Sequence, residues 1–306
     1  MRHNVAMACL LSILSISLAE ESTHTVKQTV FGNLKGQVLS TGSGRVRLMD
    51  PQGNILWKYK GSNVHDCWML ANGHVLVADG VVREINPRTN EVVFQYRPQV
   101  TKGGGAYACQ RLDNGLTLIG ENSTGRILEV NKDGQIRFEL KVQPYTPGSH
   151  HNMRMVRKLK NGHYLVCHSG EHRVREYTPK GIIVFDVEVS NLAFSAVRLD
   201  NGHTLVGQID FITEFDAKGD IVWQFSNKAI EGVSINAICG LHALPNGNIV
   251  VGVYAAYKKG VGTAMFEITR DKTLVWRYAN PSADGTIMSV QMLDAKGRPL
   301  PGGTLR

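Results

Sequence analysis

Five times along the chain a short apolar run ends in Asn-Gly and a second apolar run follows, at Asn72-Gly73, Asn114-Gly115, Asn161-Gly162, Asn201-Gly202 and Asn246-Gly247. The spacings are 42, 47, 40 and 45 residues. Asn-Gly between apolar runs predicts a two-residue hairpin, because both residues accept positive φ at little cost, so each turn joins two antiparallel strands. After each hairpin comes a second turn and a strand with an aromatic pattern: Asn86-Pro87 then Phe94-Gln95-Tyr96, Lys132 to Gly134 then Phe138, Pro179 to Gly181 then Phe185. Asp216 to Gly219 then Trp223-Gln224-Phe225, and Arg270 to Lys272 then Trp276-Arg277-Tyr278, continue the series. Four short strands at a period of roughly 40 to 50 residues predict the blades of an all-β propeller.

The two ends of the chain set the number of blades. Gly36 to Leu39, Arg45 to Leu48 and Trp57-Lys58-Tyr59 match only the last three strands of a repeat, and the missing first strand is supplied by Ile287 to Leu293, followed by Asp294 to Gly297. The C-terminus therefore completes the blade that the N-terminus begins, giving six four-stranded blades and removing the open edges that invite aggregation. The repeat also absorbs residues that would otherwise look functional. Glu84, Glu129, Glu176, Glu214 and Glu267 recur on the third strand, and Trp57, Phe94, Phe138, Phe185, Trp223 and Trp276 share a place on the fourth, where they are expected to fill space between blades.

Ahead of the repeats, Arg2, an apolar stretch from Val5 to Leu18 and Ser17-Leu18-Ala19 read as a secretory leader over residues 1–19, leaving one propeller domain over 20–306. The stretch is shorter than the roughly 20 residues of a membrane-spanning helix, and no later segment is long enough, so no membrane span is expected and a secreted or periplasmic location is. Of 34 basic and 26 acidic residues only Arg2 lies in the leader, so the net charge of +8 falls by one on cleavage. That field suits anionic ligands such as sulfate esters, uronates and acidic glycans, with plain solubility as the alternative. No aromatic-and-basic run predicts nucleic-acid binding, and the oligomeric state has no signature. Cys67, Cys109, Cys167 and Cys239 lack CxxC spacing, and three of them share one repeat position, which predicts small buried thiols rather than disulfides or a structural zinc site.

Hairpin geometry locates a site. Residues about seven before each Asn and seven or eight after it gather at one mouth of the central channel, opposite the Asn-Gly turns. They differ from blade to blade, as a site on a repeat scaffold requires. Catalytic candidates are His65, Tyr107, His150, His151, Arg154 and His168; ligand-binding candidates are Asp66, Glu121, Asn122, Asn152, Gln208, His242 and Tyr254. A neutral histidine facing Tyr107 or Tyr254, with Arg154 on a substrate carboxylate, suits a lyase acting on a uronate. A divalent metal on His65, His150 or His151, His168 and His242 with Glu121 or Asp66 is the alternative, though no short motif enforces it. His74, His163 and His203, next to the turns, read as solvent-facing, and Asn122-Ser123-Thr124 as a glycosylation sequon.

Leu244-Pro245-Asn246-Gly247-Asn248, the glutamate strand and Val275 to Tyr278 resemble the exported propellers with quinone-cofactor-like repeats and the arylsulfate sulfotransferases, over nearly the whole chain after the leader. Quinone dehydrogenases of that type have eight blades and a vicinal disulfide, neither of which this sequence has, so no quinone cofactor is expected. The sulfotransferase resemblance implies an exported six-bladed fold and a channel histidine that carries a sulfuryl group. His150-His151-Asn152 and Arg154 are similar to its oxygen-holding cluster, with His242 or His65 as nucleophile. The functional expectation is a propeller that binds an anionic or carbohydrate-derived small ligand at a histidine-rich mouth, as a lyase, hydrolase or sulfuryl-transfer enzyme. A propeller that only binds ligands or proteins is the competing expectation.

Overall fold

The computed structural model describes residues 29–226, 230, 233, 236–256, 262–280 and 286–300; the leader read at residues 1–19 lies outside them. Twenty-five strands and one short 3-10 turn make up the described secondary structure, in six antiparallel sheets. The chain is a six-bladed β-propeller. Going around the ring, the first strands of the blades are β5 (Asp66–Met69), β9 (Ala106–Arg111), β13 (Met155–Lys158), β17 (Ser195–Arg198), β21 (Ile238–Ala243) and β25 (Ser289–Met292), which neighbour one another about the axis. Outer strands pair successively away from it.

The ring closes as the terminal patterns predict: β25 pairs antiparallel with β2 (Val38–Gly42), setting Val38 against Met292 and Thr41 against Ser289. An additional strand was not legible in the repeat. β1 (Thr29–Gly32) lies along β24 (Leu274–Ala279), making the last blade five-stranded and covering its outer edge. Gly32 ends it at φ +88°, where an added Cβ would stand 2.4 Å from the Val275 carbonyl oxygen.

The Asn-Gly turns differ in type from the expectation. Leu70 N donates to His74 O (2.8 Å) and Gly73 N to Leu70 O (2.9 Å), so the loop has three residues, and only the glycine takes positive φ, +81°. This is a type I turn followed by a left-handed residue. Asn is suited to it because its side-chain oxygen accepts from the backbone N–H two residues on, as Asn72 does from His74 at 3.0 Å. The same bond recurs at Asn114, Asn161, Asn201 and Asn246.

Four of the five recurring glutamates fasten neighbouring blades, while Glu267 accepts from Asn248 and Trp276 of its own blade. Glu84 pairs with Arg111 of the next blade, whose guanidinium lies over Phe94. Glu176 pairs with Arg198 over Phe185, and Glu214 with Arg270 over Trp223; Glu129 accepts from Lys158 and from Tyr164. Each latch combines a charge pair, a cation over a ring and a desolvated carboxylate. His74, His163 and His203 belong to it, each Nδ1 lying 2.7 Å from the glutamate of its own blade, rather than facing solvent. The reason is that the three-residue turn leaves the residue after the glycine beside the third strand. All four described cysteines are buried thiols outside any disulfide.

Candidate functional site at the channel mouth

A cavity of about 630 Å³ opens where the first strands begin, lined by His65, His150, His151, Arg154, Phe194, Cys239, Tyr254 and Met288, with Asn63 and Asn236. Below it the channel narrows to about 20 Å³, a space that reaches Tyr107, Asp66 and Arg157 and is about the size of one water. Hairpin spacing thus brings His65, Tyr107, Arg154, Phe194 and Cys239 to one end, and the segment leading into the closing strand adds Met288.

The polar side of the mouth is one connected group. The His65 and Tyr107 rings stack at 3.8 Å between centroids. The Tyr107 hydroxyl is hydrogen-bonded to His150 Nδ1, and Arg154 donates to His150 Nε2 at 2.9 Å. Because a guanidinium can only donate, Nε2 must accept, which leaves the proton of neutral His150 on Nδ1 and makes that N–H the donor to Tyr107. The Tyr107 O–H is then free to donate onward. Arg154 also lies over the Tyr107 and Phe194 rings, at 5.4 and 5.6 Å, and beside the Cys239 thiol.

Electrostatics keep these histidines neutral. Burial first, and Arg154 next, push His65 well below the ordinary imidazole range and lower His151. The same two causes bring His150 to about 4. Burial raises Tyr107, with Arg154 opposing. At neutral pH the group therefore presents unprotonated imidazoles, a protonated phenol and one fixed cation.

A loop the sequence reading did not single out holds this arrangement. Gly103, Gly104 and Gly105 all have positive φ, +91°, +101° and +77°. A Cβ on Gly104 would stand 2.0 Å from the Tyr107 hydroxyl oxygen, so only glycine lets the backbone cross there. Asn122 ties that loop to the histidine loop: its Nδ2 donates to the carbonyls of Gly103 (2.7 Å) and Ser149 (2.9 Å), and its Oδ1 accepts from Met153 N (2.7 Å). Asn152 closes the histidine loop through both Thr146 N and Thr146 O at 2.9 Å. Both asparagines are buried, so they position the site rather than meet a ligand, and the Asn122 amide is not open to glycosylation.

Other candidates stay away from the mouth. Asp66, on the throat, is saturated: it takes Arg157 in a two-pronged pair (2.8 and 3.1 Å), Cys67 N, Cys109 N and Ser289 Oγ, joining four blades. Glu121 is turned outward by a register shift between Gly120 and Glu121, to accept from Tyr96 and Arg126. Gln208 bonds Ser190 and Thr213. His168 is wholly buried against Tyr177, whose hydroxyl meets Nε2 at 2.8 Å. His242, between the last blade and the closing one, accepts from Met292 N at 2.9 Å. Tyr254 does line the mouth, with its ring 44% exposed. For a metal, no three His, Cys, Asp or Glu side chains converge among the described residues. The separation of His168, His242 and Glu121 from the mouth dissolves the donor set that the sequence offered.

No protein-family model matches the chain, and no curated protein matches it in sequence. Solved structures do match. A protein of unknown function from Bacteroides caccae superposes with a TM-score of 0.73 at 23% identity, over 85% of this chain and 99% of that one. Streptogramin B lyase gives 0.59 at 14% identity, over 89% and 91%. A catalytically inactive histidine-to-alanine variant of virginiamycin B lyase from Staphylococcus aureus, with quinupristin, gives 0.56 at 14%, over 83% and 88%. The likeness is one of fold.

Proposed function

We propose that the mouth binds an anionic small molecule, with Arg154 as its counter-ion, and that the surrounding histidines and Tyr107 carry out acid–base elimination on it. The reading rests on Arg154: a nearly buried guanidinium that has aromatic faces and a neutral histidine as neighbours, while no Asp or Glu is among the described residues of the cavity wall. A desolvated cation in that setting is stabilised by an arriving anion.

A carboxylate held by Arg154 makes the neighbouring C–H more acidic. Neutral His65 takes that proton, and its electron pair becomes a carbon–carbon double bond. The bond from the next carbon to its oxygen substituent breaks, and that oxygen takes the Tyr107 proton. His65, now protonated, returns a proton to the Tyr107 phenolate across the stacked rings or through water. No oxidant or metal enters this balance. Carboxylates with an oxygen substituent on the β-carbon, uronates among them, have the required connectivity, and their charge suits a chain of net charge +8. Two of the similar folds are lyases, one of them inactivated by loss of a histidine. For sulfuryl transfer, His242 is committed to the blade interface, which leaves His65 as the nucleophile candidate at the mouth.

The test is a panel of β-alkoxy and β-acyloxy carboxylates, galacturonate esters included, followed by the absorbance of the conjugated alkene. Turnover should fall by about 10²–10⁴-fold in His65→Gln and in Tyr107→Phe, with circular dichroism unchanged. Alkene formation unaffected by both changes refutes the assignment. A binding-only propeller is the second reading, favoured by the burial of His65 Nε2, which has no partner; it forms no alkene from any member yet loses ligand affinity in Arg154→Gln.

A further inference from the structure

We infer that the ligand is an amphipathic monoanion, a single carboxylate carrying an apolar arm, rather than a polyhydroxylated or multiply charged sugar acid; this rests on the anion-binding reading above. The mouth has two unlike halves. Blades two to four supply its polar side, Asn63, His65, His150, His151 and the single cation Arg154. The facing side, from blades five and six and the closing strand, is mainly apolar, with Leu192, Phe194, Ile209, Ala237, Cys239 and Met288, and carries Asn236, Tyr254 and Thr286 as its polar groups. Leu192, Phe194, Ile209 and Met288 are only part-buried, so apolar surface is open to the cavity. Phe194 joins the halves, because Arg154 lies over its ring at 5.6 Å.

Two features argue for the ligand class. One guanidinium and no second described cation on the wall answers one negative charge, whereas a polyanionic glycan would leave further carboxylates desolvated and unpaired. A sugar ring set against Leu192, Ile209 and Met288 would likewise lose hydroxyl hydration over that patch, where only Asn236, Tyr254 and Thr286 border it with polar groups. An alkyl or aryl arm instead gains from displacing water there. Each methylene of such an arm is expected to add about two- to fourfold in affinity, according to how fully it is covered.

The experiment is calorimetric titration of the wild-type protein with acetate, hexanoate, benzoate and galacturonate, repeated on Arg154→Gln and on Ile209→Asn. Hexanoate and benzoate should bind at least about tenfold more tightly than acetate or galacturonate, with a negative heat-capacity change. Ile209→Asn, at a part-buried position, should shrink that advantage while leaving acetate unchanged, and Arg154→Gln should weaken all the acids. Galacturonate binding as tightly as hexanoate overturns the amphipathic assignment and leaves anion binding standing. Hexanoate affinity that survives loss of Arg154 overturns the anion-binding reading itself, and binding of none of the four acids to wild type overturns both.

Discussion

Replacing His168 by glutamine separates a buried structural histidine from the histidines of the mouth. His168 has no exposed surface, and its Nε2 is hydrogen-bonded to the Tyr177 hydroxyl. Burial, reinforced by Arg175, lowers its pKa to about 3 from an ordinary 6.5. The folded-state value lies below the unfolded one, so the unfolded chain takes up the proton first. The associated stability is complete above pH 6.5 and is lost as pH falls toward 3. At about 1.36 kcal/mol per pKa unit the whole window amounts to about 5 kcal/mol, of which about 2 kcal/mol has gone by pH 5. Urea unfolding of wild type and His168→Gln at pH 7 and pH 5 measures it. The variant should lose about 2 kcal/mol less than wild type between the two conditions, because glutamine keeps an acceptor near Tyr177 and does not titrate. Equal losses in the two proteins refute the buried, neutral assignment. Ligand binding should survive the substitution, since the ring does not line the mouth.

Three further outcomes follow from the geometry. Asp66→Ala leaves Arg157 buried without its carboxylate and should cost about 3–5 kcal/mol in denaturant unfolding; an effect under about 1 kcal/mol refutes its role as the pin of four blades. Gly104→Ala should displace Tyr107 and abolish ligand binding, whereas Gly202→Ala, with φ +86° and nothing within 4 Å of the added carbon, should cost about 1 kcal/mol and leave binding intact. In Arg154→Gln the His150 and His151 titrations, read by NMR, should move up toward 6.5 without reaching it, because burial remains the larger cause; unmoved titrations refute the proximity of the guanidinium.

How much of the site was legible depended on what kind of information fixed each residue. His65, Tyr107 and Arg154 were found by counting from the turns, since hairpin pairing brings such positions to one end whatever the loop length. Of their companions after the turns, Tyr254 was found and three were not: Glu121 is re-aimed by a register shift, His168 turns into its own blade, and Gln208 is consumed by Ser190 and Thr213. One residue of slip or bulge sends a side chain to the other face of a strand, and hairpin counting does not resolve one residue.

By itself the sequence determined the repeat, the number of blades and the closing of the ring by the two ends, because these follow from turn chemistry and periodicity, which are local. It also marked the recurring glutamates and aromatics as structural, although the cations completing each latch come from the following blade. Only the tertiary structure decided that Asp66 is a saturated pin, that a triple-glycine loop makes room for Tyr107, and that Arg154 stands beside three neutral histidines with no Asp or Glu among the described residues of the cavity wall. Those outcomes depend on which groups meet across blades about 40 residues or more apart and on how far each is removed from water, and no local pattern in the chain encodes either.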